Sequence, residues 1–362
     1  MAPFASAGSV ARCTGMRHHA HTTVAASARA PWRAVPLRVA CEAMPGRSAR
    51  RARACSAVAC GGMNERAIGS VTVLFGERGG KYPHGNSLLV RGADATALID
   101  PSLALVERHA IGRPVAGVDL VLNSHCHEDH IAGNHLFPDA TWHMHEADQP
   151  GLCSLDAMLA IYGYSEPVHS LFRKILVDDF HYTPRPETST FVDADVFDLG
   201  GGVRIRVVHA PGHTRGHSFF WIEPDDVLYL GDVDLSSFGP YYGDAWSSLV
   251  DFERTLAALP TLAPRHWATF HHVGVLDDRS AFDVRLARFR AVIADREARL
   301  LAFLREAPHD LAEIVAHRFV YRPEDRIPYA DPVEARSMGQ HVERLLASGR
   351  VREVAPGRFL AI

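Results

Sequence analysis

The chain has 362 residues, of which 47% are hydrophobic and 22% are charged, a balance typical of a globular protein with a large core. No stretch approaches the roughly 18 consecutive apolar residues of a membrane-spanning helix, so we expect no membrane association. The net charge is −4, but residues 1–62 contribute nine arginines and one glutamate, or +8, which leaves about −12 on residues 63–362. Because tight binding to nucleic acid depends on cations that neutralise phosphates, this acidic body argues against a nucleic-acid partner.

The first 62 residues differ from the rest of the chain. They are rich in alanine, arginine, serine and proline, with Glu42 as their one acidic residue, and they show no sustained helical or strand period. The segment is either an organelle transit peptide or upstream sequence before a true start at Met63; we favour the start at Met63. In both cases we expect residues 1–62 to be a disordered leader without a chemical role.

The remaining residues contain Cys126 and Cys153, while the other four cysteines lie in the leader. Two cysteines do not make a disulfide framework, so the sequence predicts a reducing, cytoplasmic location. Short β-rich runs alternate with amphipathic segments from Val71 onward, which predicts an α/β protein. We expect helices at 151–176 and 246–259, and strands at 71–75, 87–90, 97–99, 118–122, 140–145, 203–209, 219–222, 227–230 and 267–270.

The pattern changes after residue 276. Helical periods at 281–306, 310–320 and 332–348 precede a small hairpin, 351–353 with 358–362, around Pro356-Gly357. Three helices and a hairpin are the order of a winged helix, which usually binds DNA. Acidic and basic residues nearly balance here, so we expect a structural or dimerisation cap, or a wall of the substrate pocket. The predicted divisions are therefore 1–62 (leader), 63–276 (catalytic domain) and 277–362 (helical, winged-helix-like domain).

A cluster of metal-binding residue types follows the strand predicted at 118–122. The run has the pattern His-x-His-x-Asp-His, formed by His125, His127, Asp129 and His130. Imidazoles and carboxylates are the groups that bind Zn²⁺ and similar cations. Further candidates follow in the order His213, Asp232 and a His271-His272 pair. A lone His-x-His is common by chance, but the complete set in this order predicts a metal site.

With these motifs, residues 68–276 resemble the metallo-β-lactamase-fold hydrolases, which include glyoxalase II, lactonases and related thioesterases. The resemblance implies an αββα sandwich, in which two facing sheets are covered by helices and the metals lie at one edge. It also implies two metal positions. His125, His127 and His213 would hold one metal, while Asp129, His130 and the last histidine would hold the other, with Asp232 bridging both.

The last ligand in this assignment is His271 or His272. The family usually has a glycine shortly after this histidine, and Gly274 therefore favours His272. Asp100, at the end of an early strand, matches the position of a family aspartate that orients a ligating histidine, and Asp234 is a second candidate for such a role.

Seven ligands are too many for one tetrahedral ion, so we expect two zinc ions, with iron or manganese as alternatives. Two ions bridged by Asp232 and a water would convert that water to hydroxide near neutral pH. The hydroxide would attack a carbonyl carbon, and Asp129 would accept a proton. Asp129 and Asp232 are therefore predicted catalytic residues.

Three segments are candidates for the substrate pocket. Residues 232–244 include Tyr241 and Tyr242, either of which would donate a hydrogen bond to a developing oxyanion. The other two are 75–86, with Lys81, Tyr82 and His84, and 151–185, with Tyr162, Tyr164, Phe180 and Tyr182. These apolar and aromatic walls suit a small acyl or aryl substrate better than a polyanion. We expect Cys126 and Glu128 to point away from the metals, and His217 to have a supporting role.

The sequence thus predicts a dinuclear zinc hydrolase that acts on a thioester, ester or lactone. One alternative is an iron-dependent persulfide dioxygenase, which uses His125 and His127 or their equivalents around a single iron and leaves the second position empty. A nuclease or nucleic-acid-binding protein is a third class, disfavoured by the acidic body. The sequence is also compatible with a homodimer formed through the C-terminal segment.

Overall fold

Two β-sheets and their connecting helices make up most of the structure, a computed structural model that describes residues 65–362. The predictions for the leader and for a start at Met63 lie outside these residues. The first sheet has seven strands in sequential order, antiparallel up to the fourth strand and parallel from the fourth onward. Its strands are β1 (Glu65–Ile68), β2 (Val71–Leu74), β3 (Ser87–Arg91), β4 (Thr96–Ile99), β5 (Leu120–Asn123), β6 (Thr141–His145) and β7 (Ser189–Phe191).

The second sheet has six strands, in the spatial order β13-β12-β11-β10-β9-β8. Among these described strands, β11 and β12 pair in parallel and the other neighbours pair antiparallel. The strands are β8 (Val196–Asp198), β9 (Arg204–His209), β10 (Ser218–Glu223), β11 (Val227–Tyr229), β12 (His266–Ala268) and β13 (Val275–Leu276).

Helices connect and cover the sheets. The segment predicted as one helix at 151–176 is two helices, because the chain takes a left-handed conformation at Gly163 (φ 62°) and the second helix begins after Pro167. The helices are α1 (Glu77–Gly80, a single irregular turn), α2 (Leu103–Ala110), α3 (Glu128–Ile131), α4 (Leu155–Tyr162), α5 (Val168–Asp178), α6 (Leu249–Ala258), α7 (Arg279–Glu306), α8 (Leu311–His317) and α9 (Ala330–Ala347).

The strands bury side chains on both faces, which produces a layered core. In β3, Leu88 and Val90 lie in the apolar cluster between the two sheets, whereas Leu89 packs outward with Leu105 of α2. In β10, Phe220 faces the inner cluster and its neighbour Phe219 packs on the helical side. Helices therefore lie outside both sheets, and the predicted αββα sandwich is confirmed.

The C-terminal segment continues the body without a break in the core. The first half of α7 packs against the outer face of the second sheet through Phe282, Leu286 and Phe289. Its second half packs with α8 and α9, where Leu300 contacts the cluster around Met338. The predicted order of three helices and a hairpin is observed, and the hairpin consists of β15 (Val351–Ala355) and β16 (Arg358–Ala361). The short strand β14 (His309–Asp310) pairs with β16 at the edge of this small sheet. Across the described residues, no helix is long and apolar enough to cross a membrane.

Candidate metal centre

The candidate ligands follow strands that end at the same edge of the sandwich. In the first sheet, β4, β5 and β6 run parallel, so their carboxyl ends lie together. In the second sheet, β9 and β11 both pair antiparallel with β10, and β12 is parallel to β11. The loops that carry the His-x-His motif, His213, Asp232 and the His271-His272 pair therefore all leave at carboxyl ends. Loops on a rigid sheet can place such side chains accurately.

Three imidazole nitrogens converge in the first group of ligands. Nδ1 of His127 lies 3.0 Å from Nε2 of His125 and 2.9 Å from Nε2 of His213, and the two Nε2 atoms are 3.2 Å apart. Oδ2 of Asp232 lies 3.1 Å from Nε2 of His213 and 3.9 Å from Nε2 of His125. One potential ligand atom from each of these four residues lies within 4.8 Å of the others.

Asp129, His130 and His271 form the second group. Nε2 of His271 lies 3.0 Å from Oδ2 of Asp129, and Nε2 of His130 lies 3.9 Å from Oδ1 of the same carboxylate. Asp232 contacts this group through its other oxygen, since Oδ1 lies 2.8 Å from Nε2 of His130 and 3.7 Å from Nε2 of His271. Asp232 therefore presents one carboxylate oxygen to each group.

The structure corrects the choice between the two adjacent histidines, because His271 and not His272 joins the second group. His271 is buried, and its Nδ1 lies 2.7 Å from the carbonyl oxygen of Gly80. His272 has a left-handed backbone (φ 59°), which directs its half-exposed side chain toward Asp234, 3.8 Å away. The spacing to Gly274 was misleading because that glycine belongs to the tight turn that closes after His271.

Every ligand imidazole has a partner on its second ring nitrogen. Nδ1 of His213 lies 2.9 Å from the carbonyl oxygen of Tyr241, and Nδ1 of His125 lies 3.0 Å from Oγ of Ser124. Nε2 of His127 lies 3.1 Å from Oδ2 of Asp244. Such contacts fix the ring orientation and the tautomer, so the other nitrogen keeps its lone pair for a cation.

Asp100 occupies the orienting position predicted for it. Its Oδ2 lies 2.8 Å from Nδ1 of His130 and accepts hydrogen bonds from Ser124 (2.6 Å) and Tyr229 (2.7 Å). Asp234 does not contact a ligand imidazole in this way; its carboxylate accepts a hydrogen bond from the Ser236 amide. Burial raises the pKa of Asp234 to about 6.

Two further residues brace the ligand loops. Buried Asp148 accepts hydrogen bonds from the amides of Cys126 and Gly216 and from the hydroxyl of Thr214, and so ties the His-x-His loop to the His213 loop. His217 contacts the Asp232 amide (3.2 Å) through Nε2 and the Ala210 carbonyl through Nδ1, which agrees with its predicted supporting role. Asp148 carried no local sequence signal.

The two residues at the variable positions of the motif are buried and belong to neither ligand group. Cys126 packs against Met158 in an apolar cluster, as predicted. Glu128 accepts hydrogen bonds from Tyr82 (3.0 Å) and Tyr162 (2.5 Å). The Tyr162 ring also stacks on His127, with 5.4 Å between the ring centroids. Of the two predicted pocket segments that carry these tyrosines, 151–185 reaches the centre through Tyr162, and 75–86 reaches it through the Gly80 carbonyl at His271.

The structure separates the two tyrosines proposed as oxyanion donors. Tyr241 lies beside the centre, with its ring 5.8 Å from that of His213 and its hydroxyl donating to Asp244 (3.1 Å). Tyr242 is fully buried in the core under the second sheet, where its hydroxyl oxygen lies 2.9 Å from Nε2 of His341. The assignment of Tyr242 as a catalytic residue does not match this placement, because adjacent residues of an extended segment point in opposite directions.

The electrostatics of the cluster favour a bound cation. Burial and the neighbouring His130, His213 and His127 hold the pKa of His125 well below its usual value, so its ring is neutral. Burial alone would also lower the pKa of His271, but the carboxylates of Asp232 and Asp129 raise it to about 9. The carboxylates thus attract positive charge to the centre, and mixed imidazole and carboxylate donors suit a borderline divalent ion.

A separate concavity of about 860 Å³ lies between α6, α7 and α9. It contains Arg344, which pairs with Glu253 and Glu297, and it shares no residue with the two ligand groups. Since the candidate metal ligands lie elsewhere, we do not assign the reaction to this concavity.

Comparisons with known proteins agree with this geometry. A sequence model of the metallo-beta-lactamase superfamily matches residues 82–287. The chain is 30% identical to a hydroxyacylglutathione hydrolase of Rhodospirillum rubrum over 178 residues, 47% of this chain and 55% of that protein, so it spans about half of that relative's length. It is 29% identical to a hydroxyacylglutathione hydrolase of Methylococcus capsulatus over 240 residues, 64% of this chain and 80% of that protein.

The fold has a counterpart among solved structures. A metallo-beta-lactamase family protein of Thermus thermophilus is 23% identical, with a TM-score of 0.59, and the match covers 81% of this chain and 99% of that chain. Because the superfamily model matches more than half of the sequence, this chain belongs to the metallo-beta-lactamase superfamily, whose members bind metal ions and are mostly hydrolases.

Proposed function

We propose that this protein is a dinuclear zinc hydrolase that cleaves a thioester, ester or lactone. The observation that carries the proposal is the placement of Asp232 between the two ligand groups. Its Oδ2 lies 3.1 Å from Nε2 of His213, and its Oδ1 lies 2.8 Å from Nε2 of His130. A carboxylate that faces two complete donor sets is suited to bridge two cations.

The residues of each group define what they would hold. His125, His127 and His213 would bind one ion, Asp129, His130 and His271 the other, and Asp232 both. When bound, the ions would lower the pKa of a water to near neutrality and polarise the carbonyl of the substrate. All seven residues are present, which favours two ions over the single iron of a persulfide dioxygenase.

Asp129 is the residue we propose as the proton acceptor. Its Oδ2 is buried and has no well-aligned hydrogen-bond donor among the described residues, although Nε2 of His271 lies 3.0 Å away. A carboxylate with one oxygen at a ligand position can use the other to accept the proton of an attacking water. Tyr241 stays a prediction as an oxyanion donor, because its hydroxyl donates to Asp244 in this structure.

The comparisons support an acyl substrate without specifying it. The two relatives are named for hydrolysis of hydroxyacylglutathione, and identities near 30% support hydrolysis in general. Half-buried and exposed aromatic residues near the centre, such as Tyr82 and Tyr241, are compatible with the predicted acyl or aryl group. The predictions of a cytoplasmic location and of a homodimer stay predictions.

The test combines metal analysis with a substrate panel. Full-length protein expressed with zinc or with iron would be assayed for metal content, for hydrolysis of thioesters, esters and lactones, and for oxygen uptake with a persulfide. We expect about two zinc ions per chain together with hydrolysis. About one iron with oxygen uptake and no hydrolysis would replace the proposal by the dioxygenase, and salt-sensitive RNA cleavage alone would replace it by a nuclease.

A variant checks that the centre carries the activity. His125→Ala removes a buried ligand, so we expect lower metal content and loss of hydrolysis, while the circular dichroism spectrum stays that of the folded protein. A metal-free His125→Ala protein with full activity would refute the assignment.

A further inference from the structure

Two tyrosines of the C-terminal segment reach the region beside the metal centre. Tyr329, which precedes α9, stacks on Tyr164 with 6.0 Å between the ring centroids and 10° between the ring planes. Tyr321 lies 5.8 Å from Phe238, on the loop that follows Asp232. Both rings are half-buried and pack with the apolar cluster that contains Tyr162 and Tyr164, so residues far apart in the sequence meet here.

Asp244 connects these rings to the first group of ligands. Its Oδ1 accepts hydrogen bonds from the hydroxyls of Tyr241 (3.1 Å) and Tyr164 (3.5 Å), and its Oδ2 lies 3.1 Å from Nε2 of His127. Burial, and after it the charges of nearby tyrosines and of Asp244, raises the pKa of Tyr321 well above its usual value. Tyr164, Tyr241, Tyr321 and Tyr329, which we call the tyrosine cradle, are thus grouped near one carboxylate.

Buried charged residues hold the backbone that presents the cradle. The carboxylate of Glu334 is fully buried and accepts hydrogen bonds from three consecutive amides, those of Phe319 (3.0 Å), Val320 (2.9 Å) and Tyr321 (2.8 Å). Arg296 of α7 donates to the carbonyls of Phe238 (2.9 Å) and Pro240 (2.6 Å), which lie on the loop that follows Asp232. Segments fixed in this way lose little conformational entropy when a ligand binds.

The chemistry of the cradle favours a neutral, planar group. Arg296 is committed to backbone carbonyls, and Arg336 likewise donates to the carbonyls of Tyr162 and Gly163. The ionisable side chains that contact the cradle and its neighbour Tyr162 include the buried carboxylates of Asp244 and Glu128, which would repel an anion. Tyrosine rings offer π faces for stacking and hydroxyls for hydrogen bonds to ring substituents.

We propose that the tyrosine cradle binds the acyl part of the substrate as an aromatic ring, with the scissile carbonyl directed at the metal centre. The inference rests on the proposed hydrolysis of an acyl substrate and specifies its class as an aryl thioester or ester. It makes Tyr321 and Tyr329 specificity-determining residues, and it gives the C-terminal segment a direct function in substrate binding.

The test compares two thioesters of one thiol, N-acetylcysteamine, that differ only in a 2-naphthoyl or an acetyl group. We expect the zinc-loaded full chain to prefer the naphthoyl thioester. Tyr329→Leu removes one stacking partner. We expect the KM for the naphthoyl thioester to rise about tenfold, while the kcat/KM for the acetyl thioester stays within about twofold of the wild-type value. Tyr329→Phe keeps the ring and should retain most of the preference. Equal cleavage of both thioesters by the wild type, or equal losses on both in Tyr329→Leu, would overturn the inference.

Two further measurements separate the cradle from the hydrolysis and from folding. Calorimetric binding of the non-hydrolysable naphthylmethyl thioether of the same thiol should weaken in Tyr329→Leu and in Tyr321→Leu, even if the wild type cleaves neither thioester and the proposed function fails. If the thioether does not bind to the folded wild-type protein, the inference about the cradle is overturned, while the proposed function is unaffected. Phe197→Leu is the matched control, because Phe197 is a half-buried ring of β8 that packs with His143 and Phe191, in a different cluster from the cradle.

Discussion

Oδ2 of Asp244 lies 3.1 Å from Nε2 of His127, the ring nitrogen that does not face the ligand group. Both atoms are buried and have no other hydrogen-bond partner among the described residues. Burial alone would lower the pKa of His127, but the contact with Asp244 and the charges of Asp244, Glu128 and Asp232 raise it to about 9. Asp244 thus orients His127 so that Nδ1 points at His125 and His213.

The first prediction concerns this contact. Asp244→Asn removes the charge that orients His127, and loss of such outer partners typically costs about 10- to 100-fold in metal affinity. We expect zinc affinity, measured by competition with a chelator, to fall within this range while the protein stays folded. Asp283→Asn is the matched control, because Asp283 pairs with Arg279 on the exposed face of α7. An unchanged zinc affinity in Asp244→Asn would show that the contact does not position the ligand.

The second prediction compares the two adjacent histidines. His271→Ala removes a ligand of the second group, so we expect about one zinc per chain and a loss of hydrolysis of at least about 100-fold. His272→Ala changes a half-exposed side chain outside both groups and should keep both ions. Elemental analysis of the two purified variants gives the answer. The reverse pattern would restore His272 as the ligand.

This pair shows where prediction from the sequence stops. The His-x-His-x-Asp-His run is a local pattern at the end of one buried strand, so the ligand types can be read directly. The choice between His271 and His272 depends on one backbone dihedral, the left-handed φ of 59° at His272. Neighbouring side chains have the same chemistry, and spacing to a glycine does not determine which of them turns inward.

The residues that support the centre were harder to predict for a different reason. Asp148 and Thr214 meet across 66 positions, and Glu334 of α9 holds the amides of Phe319 to Tyr321 in the loop before that helix. Such contacts depend on tertiary packing and leave no periodic signal. The strands missed by the sequence analysis are also short: β1 has four residues, β7 and β8 have three, and β13 and β14 have two. The long helices α7 and α9 were predicted because their buried residues recur at the helical period.

The third prediction tests the bridging role of Asp232. Asp232→Asn replaces one carboxylate oxygen by an amide nitrogen, which has no free lone pair for a cation. Because the two groups would no longer share a ligand, we expect zinc content to fall from about two ions to about one per chain. Asp234→Asn, two residues along the chain, changes a carboxylate that lies outside both groups and should keep the wild-type metal content. Two tightly bound ions in Asp232→Asn would exclude the bridge.

The fourth prediction concerns Tyr242, which lies in the core and not beside the metal centre. Its hydroxyl contacts His341 in a buried setting, so Tyr242→Phe leaves a buried imidazole nitrogen without that partner. We expect the free energy of unfolding to fall by about 1 to 3 kcal/mol, with metal content and hydrolysis unchanged. Chemical denaturation and the thioester assay measure the two effects separately. A catalytic loss without a stability loss would return Tyr242 to the active site.

The last prediction is a pH dependence of stability at His341. Burial, with the positive charge of Arg344, lowers the pKa of His341 to about 4, against the partial opposition of Glu297. The unfolded chain takes up a proton near pH 6.5, whereas the folded protein does so only near pH 4. Between these values the unfolded state binds more protons, so the free energy of unfolding falls as the pH falls, by about 2 to 3 kcal/mol at this residue. His341→Gln cannot titrate, so the difference in unfolding free energy between wild type and variant should shrink or change sign from pH 7 to pH 4. Parallel profiles over this range would show that His341 titrates normally in the folded protein. The comparison cancels the acid-induced loss of metal, because both proteins share the same centre.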